Sequence, residues 1–246
     1  MQYEEAFWYS DRLRRNMGVK IYGHYGFPVL AYPCQNKGND DFYLNGMIDA
    51  LAPLIESGRM KLYCVATNDD VSVCDESWDH GKAAYELDQY HHYIVQEVLP
   101  FIYQKQGGFC LPLLVGASMG GCHAANHFFR RPDLFAGFIV MSCSFEMSRF
   151  FDGYMDENVY NNSPVHYLQN MPSDHPYIDI YNQRAMHAVI GAGAFEYLAD
   201  YTYRWLQGIT DEKGIHVNYH YWDENISHDW PSWRYELPYF LNEVLP

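Results

Sequence analysis

Residues 111–121 read Leu-Pro-Leu-Leu-Val-Gly-Ala-Ser-Met-Gly-Gly, and the order of residue types in this stretch decides the fold. Leu113–Val115 is a short apolar run that reads as a buried strand. Helical character begins at Met119 and runs to about Phe129. The turn between them, Gly116-Ala-Ser118-Met-Gly120, has the G-x-S-x-G spacing. At a sharp strand-to-helix turn of this kind the serine backbone is strained and its hydroxyl is exposed. Gly116 and Gly120 flank the serine because strand and helix approach closely there. The helix start also lies beside the serine, and its free N–H groups can stabilise a developing oxyanion. The competing reading is a glycine-rich turn with an incidental serine. It accounts for the five letters but not for strand, helix and a suitably placed downstream histidine together.

Outward from this point, strand-like and helix-like segments alternate along the 246 residues. That alternation predicts a mostly parallel central sheet with helices on both faces. The pattern places strands at Val19–His24, Val29–Tyr32, Lys61–Ala66, Leu113–Val115, Gly137–Met141, Met186–Ile190 and His216–Trp222, with Tyr3–Trp8 as an antiparallel edge. It places helices at Leu44–Glu56, Ala84–Gln104, Met119–Phe129, Glu196–Glu212 and Trp233–Val244. Pro100 is expected to kink the second helix or end it near Leu99. No repeat, low-complexity tract or linker divides the chain, so one α/β domain is expected over residues 1–246. A cap-like excursion is expected at about 144–183, where Pro164, Pro172 and Pro176 interrupt the periodicity.

Composition narrows the function classes. The net charge is −15, which repels phosphate backbones and anionic membranes; neither nucleic acid nor membrane is an expected partner. No run approaches transmembrane length, and the N-terminus lacks the basic and apolar regions of a signal peptide. Six cysteines, at 34, 64, 74, 110, 122 and 143, are scattered without C-x-x-C spacing. Buried reduced thiols and a cytoplasmic location are therefore expected. Aromatic residues reach 17% of the chain; most are expected in the core or at an interface, and a homo-oligomer is among the expected partners.

A serine hydroxyl is a weak nucleophile at neutral pH and needs a histidine base, itself oriented by an acid. On this kind of scaffold the chain order is serine, acid, histidine. His228 lies in Trp222-Asp-Glu-Asn-Ile-Ser-His-Asp-Trp-Pro, after the last strand and before the last helix, where a loop delivers a base to the serine. His216 and His220 fall inside a predicted strand, and His187 sits near the start of another, at the wrong end. The acid is expected after Ile190-Gly-Ala-Gly193, which makes Glu196 the candidate and Asp200, one turn later, the alternative. Asp229 reads as a cap for the last helix. For the oxyanion hole, Met119 N–H is one expected donor. Gln35 N–H is the other, with Cys34 equally close in sequence.

Gly-Ala-Ser-Met-Gly-Gly, followed by Phe128-Phe-Arg-Arg-Pro-Asp-Leu-Phe135, resembles the nucleophile region of the esterase D, or "putative esterase", branch of the α/β hydrolases. His228-Asp-Trp-Pro-Ser-Trp-Arg is similar to the H-x-W segment that carries the histidine of that branch. The resemblance runs from Ser118 to the end of the chain. It implies an α/β-hydrolase fold and hydrolysis of carboxylic esters without metal or cofactor. The chain departs from many serine hydrolases in the loop Pro33-Cys-Gln-Asn-Lys-Gly, which has no His-Gly pair.

The expected activity is thus carboxylic ester hydrolysis through an acyl-Ser118 intermediate on a small-molecule ester. Thioesterase, peptidase or acyltransferase chemistry on the same residues remains open from the sequence, as does a catalytically silent binding protein. Trp230, beside His228, and Trp78 are expected walls of the pocket. His123 and His127 are four apart on one helix face, but Ala124 stands where zinc proteases place glutamate, so helix packing is the expected role.

Overall fold

The structure, a computed structural model, describes residues 1–246. Eight strands form one sheet in the order β1-β2-β4-β3-β5-β6-β7-β8. They are β1 (Tyr3–Ser10), β2 (Arg15–Tyr22), β3 (Phe27–Tyr32), β4 (Met60–Val65), β5 (Leu113–Ala117), β6 (Gly137–Met141), β7 (Ala185–Ile190) and β8 (Asn218–Tyr221). β1 pairs antiparallel with β2 and β2 antiparallel with β4; every later pairing is parallel. This is the α/β-hydrolase arrangement, with the antiparallel edge expected from Tyr3–Trp8.

Burial explains the placement of each strand. Every residue of β5 and β6 is buried, because helices cover both faces of a parallel sheet and leave no side for water. β1 is mostly exposed, as an edge strand can be. One apolar layer lies beneath helices His80–Tyr93 and Met119–Arg130. The other lies beneath helix Met47–Glu56 and the C-terminal helix Trp230–Val244.

Several boundaries differ from the sequence pattern for local reasons. Pro100 neither ends nor breaks its helix. His80–Tyr93 continues through a π-helical turn at Ile94–Val98 into Leu99–Gln106. Leu99 N–H bonds to Ile94 O, five residues back. That widened turn puts Pro100 at the start of a new helical segment, where its missing N–H costs least. The helix expected from Leu44 is split by Gly46, whose left-handed backbone (φ +72°) separates Asp41–Leu44 from Met47–Glu56. β8 begins at Asn218 and leaves His216 outside the strand, its N–H bonded to Asn182 Oδ1 at 2.8 Å. Residues 144–183 fold into four short helical pieces, Ser148–Phe151, Glu157–Asn161, Pro164–Asn170 and Tyr177–Tyr181. The cysteines are free, but only Cys64, Cys122 and Cys143 are buried; Cys34, Cys74 and Cys110 are half-buried. No helix is long and apolar enough to cross a membrane.

The parallel register brings the C-terminal ends of β3, β5, β6, β7 and β8 to one edge of the sheet. Gly116 lies opposite Tyr32, and Ala117 opposite Met141. The chain leaves β5 between its two neighbours, in the crevice where open α/β sheets bind ligands.

Candidate active site

Ser118 follows β5 with φ +54° and ψ −128°, a backbone conformation that costs a non-glycine residue on the order of 1–3 kcal/mol. The surroundings impose it. Ser118 N–H donates to Met141 O at 2.9 Å, and Ser118 O accepts from Gly121 N–H at 3.0 Å as the helix begins. A Cβ on Gly116 would stand 2.4 Å from Gly120 C, and one on Gly120 would stand 2.4 Å from Tyr32 O. Neither position can accept a side chain, so strand, turn and helix are locked together.

His228 Nε2 lies 3.0 Å from Ser118 Oγ. Its loop is laced to the segment after β7: Gly193 N–H donates to Ile226 O at 2.8 Å and His228 N–H to Ala194 O at 3.0 Å. Gly191 and Gly193 are required for that contact, since a Cβ on Gly191 would meet Ile226 O at 2.1 Å. Burial pushes the His228 imidazole below the ordinary histidine pKa, partly offset by the Asp229 charge. It is therefore held neutral, as an acceptor for a hydroxyl proton must be.

Glu196 is 1% exposed and lies in a single 3-10 turn, Glu196–Leu198, before helix Asp200–Lys213. Its Oε1 accepts from Ser142 Oγ at 2.6 Å. Its Oε2 is buried without a partner, and so is His228 Nδ1. The fold thus brings Ser118 and His228 into contact and ties Glu196 to them only through Ser142 and the Trp233 ring that packs on His228, with no direct hydrogen bond between Glu196 and His228. Burial raises the Glu196 pKa against the lowering effect of the Ser142 and Gly191 hydrogen bonds. Asp200 is turned to solvent and pairs with Arg204 at 3.2 Å. Asp229 caps the C-terminal helix, accepting from Ser232 N–H at 2.9 Å.

The loop after β3 separates the two donor candidates. Cys34 N–H is taken by Asp41 Oδ2 at 2.8 Å, and Asn36 N–H by Asp69 Oδ2 at 2.9 Å. Gln35 N–H, between them, has no partner in the fold. Met119, first residue of its helix, has one of the N–H groups that a helix start leaves unsatisfied. Gln35, Ser118, Met119 and His228 line a common cavity of about 180 Å³. Ser142, Phe150 and Leu198 supply further wall.

Trp230 is not part of that wall. As the first residue of its helix it packs edge-on against Phe42 and Trp233, with ring centroids at 5.6 and 5.3 Å. Trp78 is exposed and borders a separate cavity beside Phe150 and Phe151. His123 Nε2 pairs with Asp69 Oδ1 at 3.1 Å and His127 Nδ1 with Tyr32 OH at 2.9 Å, so both rings serve helix packing. Ser142, Asp41 and Asp69 carry much of the site's architecture, yet no motif marks them. The one available signal is Asp41, an acidic residue close in sequence to a loop expected to supply a backbone amide.

No curated protein sequence matches the chain. Solved structures do. A ferulic acid esterase is 19% identical with a TM-score of 0.73, the match covering 96% of this chain and 95% of that one. An S-formylglutathione hydrolase from Staphylococcus aureus is 15% identical with a TM-score of 0.67, covering 98% of both chains. The fluorophosphonate-binding serine hydrolase F of Staphylococcus aureus is 15% identical with a TM-score of 0.69, covering 98% of this chain and 97% of that one. These likenesses establish the shared fold. The family profile described as "Putative esterase" matches residues 10–243. The chain belongs to that family, esterases of the α/β-hydrolase fold.

Proposed function

We propose that Ser118 is the nucleophile of this esterase, His228 its base and Glu196 its acid. The observation that carries the reading is the 3.0 Å contact between His228 Nε2 and Ser118 Oγ at a strained turn. His228 accepts the hydroxyl proton as Ser118 Oγ attacks the ester carbonyl carbon. The carbonyl oxygen becomes an oxyanion held by the N–H groups of Met119 and Gln35. Collapse expels the alcohol, which takes its proton from His228 and leaves an acyl-Ser118 ester. A water then attacks that ester with His228 again as base, releasing the acid and restoring Ser118. Glu196 Oε2 and His228 Nδ1, an acceptor and an N–H donor both buried without partners, are the atoms that pair when the imidazolium forms.

The substrate in this reading is a small ester with a short acyl group, because about 180 Å³ of cavity falls below the range of roughly 300–1,000 Å³ typical of small-molecule pockets. A reducing, cytoplasmic setting suits six free cysteines. A fluorophosphonate probe tests the nucleophile: labelling of the parent at Ser118 and none of S118A is expected, whereas an unlabelled parent would overturn the assignment.

A further inference from the structure

The excursion at 144–183 puts a charge at the catalytic cavity that the chemistry above does not use. Arg149, in the single turn Ser148–Phe151, lines the cavity that holds Ser118 and His228, together with its neighbour Phe150. No aspartate, glutamate or lysine lines that cavity, although the chain has 31 acidic residues against 16 lysines and arginines. Against so negative a surface, a lone cation beside the reacting serine is informative. Arg149 is exposed and so stands at the open side of the cavity. It is also held there. Its Nη1 donates to Leu198 O, and its guanidinium lies over the Phe150 ring, 5.4 Å from the centroid; Leu198 and Phe150 are themselves cavity wall. The nearby carboxylates are engaged elsewhere. Glu146, three residues earlier, accepts from Ser148 N–H at 2.7 Å, and Asp152, three residues later, pairs with His80 at 3.6 Å. In the adjoining cavity beyond Phe150, Asp75 accepts from Ser77 N–H and Asp79 from Lys82 N–H.

We propose that Arg149 selects esters that carry a carboxylate, binding that group while the ester carbonyl lies at Ser118. A guanidinium presents its N–H donors in a planar fork that matches a carboxylate with two parallel hydrogen bonds. Leu198 O takes one of those donors and leaves the rest for a ligand. Packing on the Phe150 ring removes water from one face of the cation and limits its orientations, so less freedom is lost when a carboxylate binds. The cavity is only about 180 Å³, so groups bound at Ser118 and at Arg149 belong to one short molecule. The substrate class is therefore a short ester with a free carboxylate a few bonds from the ester carbonyl. A carboxylate on the acyl part and one on the alcohol part offer Arg149 the same chemistry, and the two are told apart by experiment.

This inference rests on Ser118 as the nucleophile and is tested with two pairs of esters of matched shape. Monomethyl succinate against methyl isocaproate puts the charge on the acyl side. para-Acetoxybenzoate against para-isopropylphenyl acetate puts it on the alcohol side. In one of these arms the parent is expected to favour the charged ester by at least about tenfold in kcat/KM, the scale of a charge-assisted hydrogen bond. R149Q is expected to bring that ratio to about one or below, chiefly through a higher KM for the charged ester, as for binding shared by substrate and transition state. Both esters of a pair are measured on one preparation, so any loss of folded enzyme cancels in the ratio. A parent that favours the charged ester in neither arm overturns the proposal, and so does R149Q with the parent's ratio intact. Turnover of the neutral esters by S118A would instead overturn the underlying reading, and it is measured independently of the ratio.

Discussion

The Trp233 indole N–H donates to Ser142 Oγ at 3.0 Å, joining the C-terminal helix to the serine that holds Glu196. Trp233 is one turn into a helix that also places His228 just before its cap, Asp229. One helix therefore fixes both His228 and, through Ser142, the orientation of Glu196. Loss of Trp233 would be felt both at the site and in the core. W233F, which removes the indole donor together with the five-membered ring of a buried side chain, is expected to lower kcat several-fold and also to lower the melting temperature by several degrees, because a cavity is left. A neutral hydrogen bond contributes only about 1 kcal/mol, enough for about a fivefold effect.

S118A is expected to abolish ester hydrolysis while leaving the fold intact, with a loss on the order of 10⁴–10⁶ in kcat. Turnover of p-nitrophenyl acetate within about tenfold of the parent would reassign the nucleophile. H228A should cost about as much, because serine and base act as a unit. H220A should not. His220 stacks on His187, with ring planes 2° apart, and packs on Phe240, so its loss should lower the melting temperature more than the turnover.

Histidines also set the response to acid. His91 and His127 are buried, and burial holds both well below the ordinary histidine pKa. In the unfolded chain they take up protons as pH falls through about 6.5, while the folded protein does not. The unfolded state then binds more protons, so stability falls with falling pH. The slope is about 1.4 kcal/mol per pH unit for each fully buried group. Chemical denaturation at pH 7 and pH 5.5 should show this loss, and H127Q should reduce it. The acid limb of kcat/KM should likewise lie below 6.5, since burial also lowers the His228 pKa.

Much of this site was legible because its strongest features are local. A buried strand, G-x-S-x-G and a helix occupy consecutive residues, and steric limits at Gly116 and Gly120 leave few other ways to fold them. The features that escaped are non-local or look ordinary. Gln35 and Cys34 are indistinguishable as neighbours in sequence. They are separated only by Asp41 and Asp69, which occupy the amides on either side of Gln35. Asp69 reaches that loop from beyond β4. Ser142 follows a strand with no motif. Trp230 was placed by its nearness to His228 in sequence, whereas helix geometry turns it toward Phe42.

The acid provides the most discriminating comparison, since Glu196 and Asp200 are four residues apart and lie on the same segment. Glu196 is enclosed and bonded to Ser142, with its second oxygen buried and unpartnered. Asp200 has 39% of its side chain exposed and pairs with Arg204 across one helical turn, an interaction worth only about 0.3–0.5 kcal/mol. E196Q should lower kcat by at least about a hundredfold, since an amide neither stabilises the imidazolium nor fixes the required tautomer. D200N should change kcat little and leave the melting temperature nearly unmoved. Both substitutions remove one negative charge at similar volume, so a general electrostatic effect on the −15 chain would move them together. A crippled D200N beside an active E196Q would require this segment to rearrange when substrate binds, with Asp200 swinging inward from its Arg204 pair. If both variants stay active, Asp223 and Asp229, which flank His228 in its loop, are the carboxyls to substitute next.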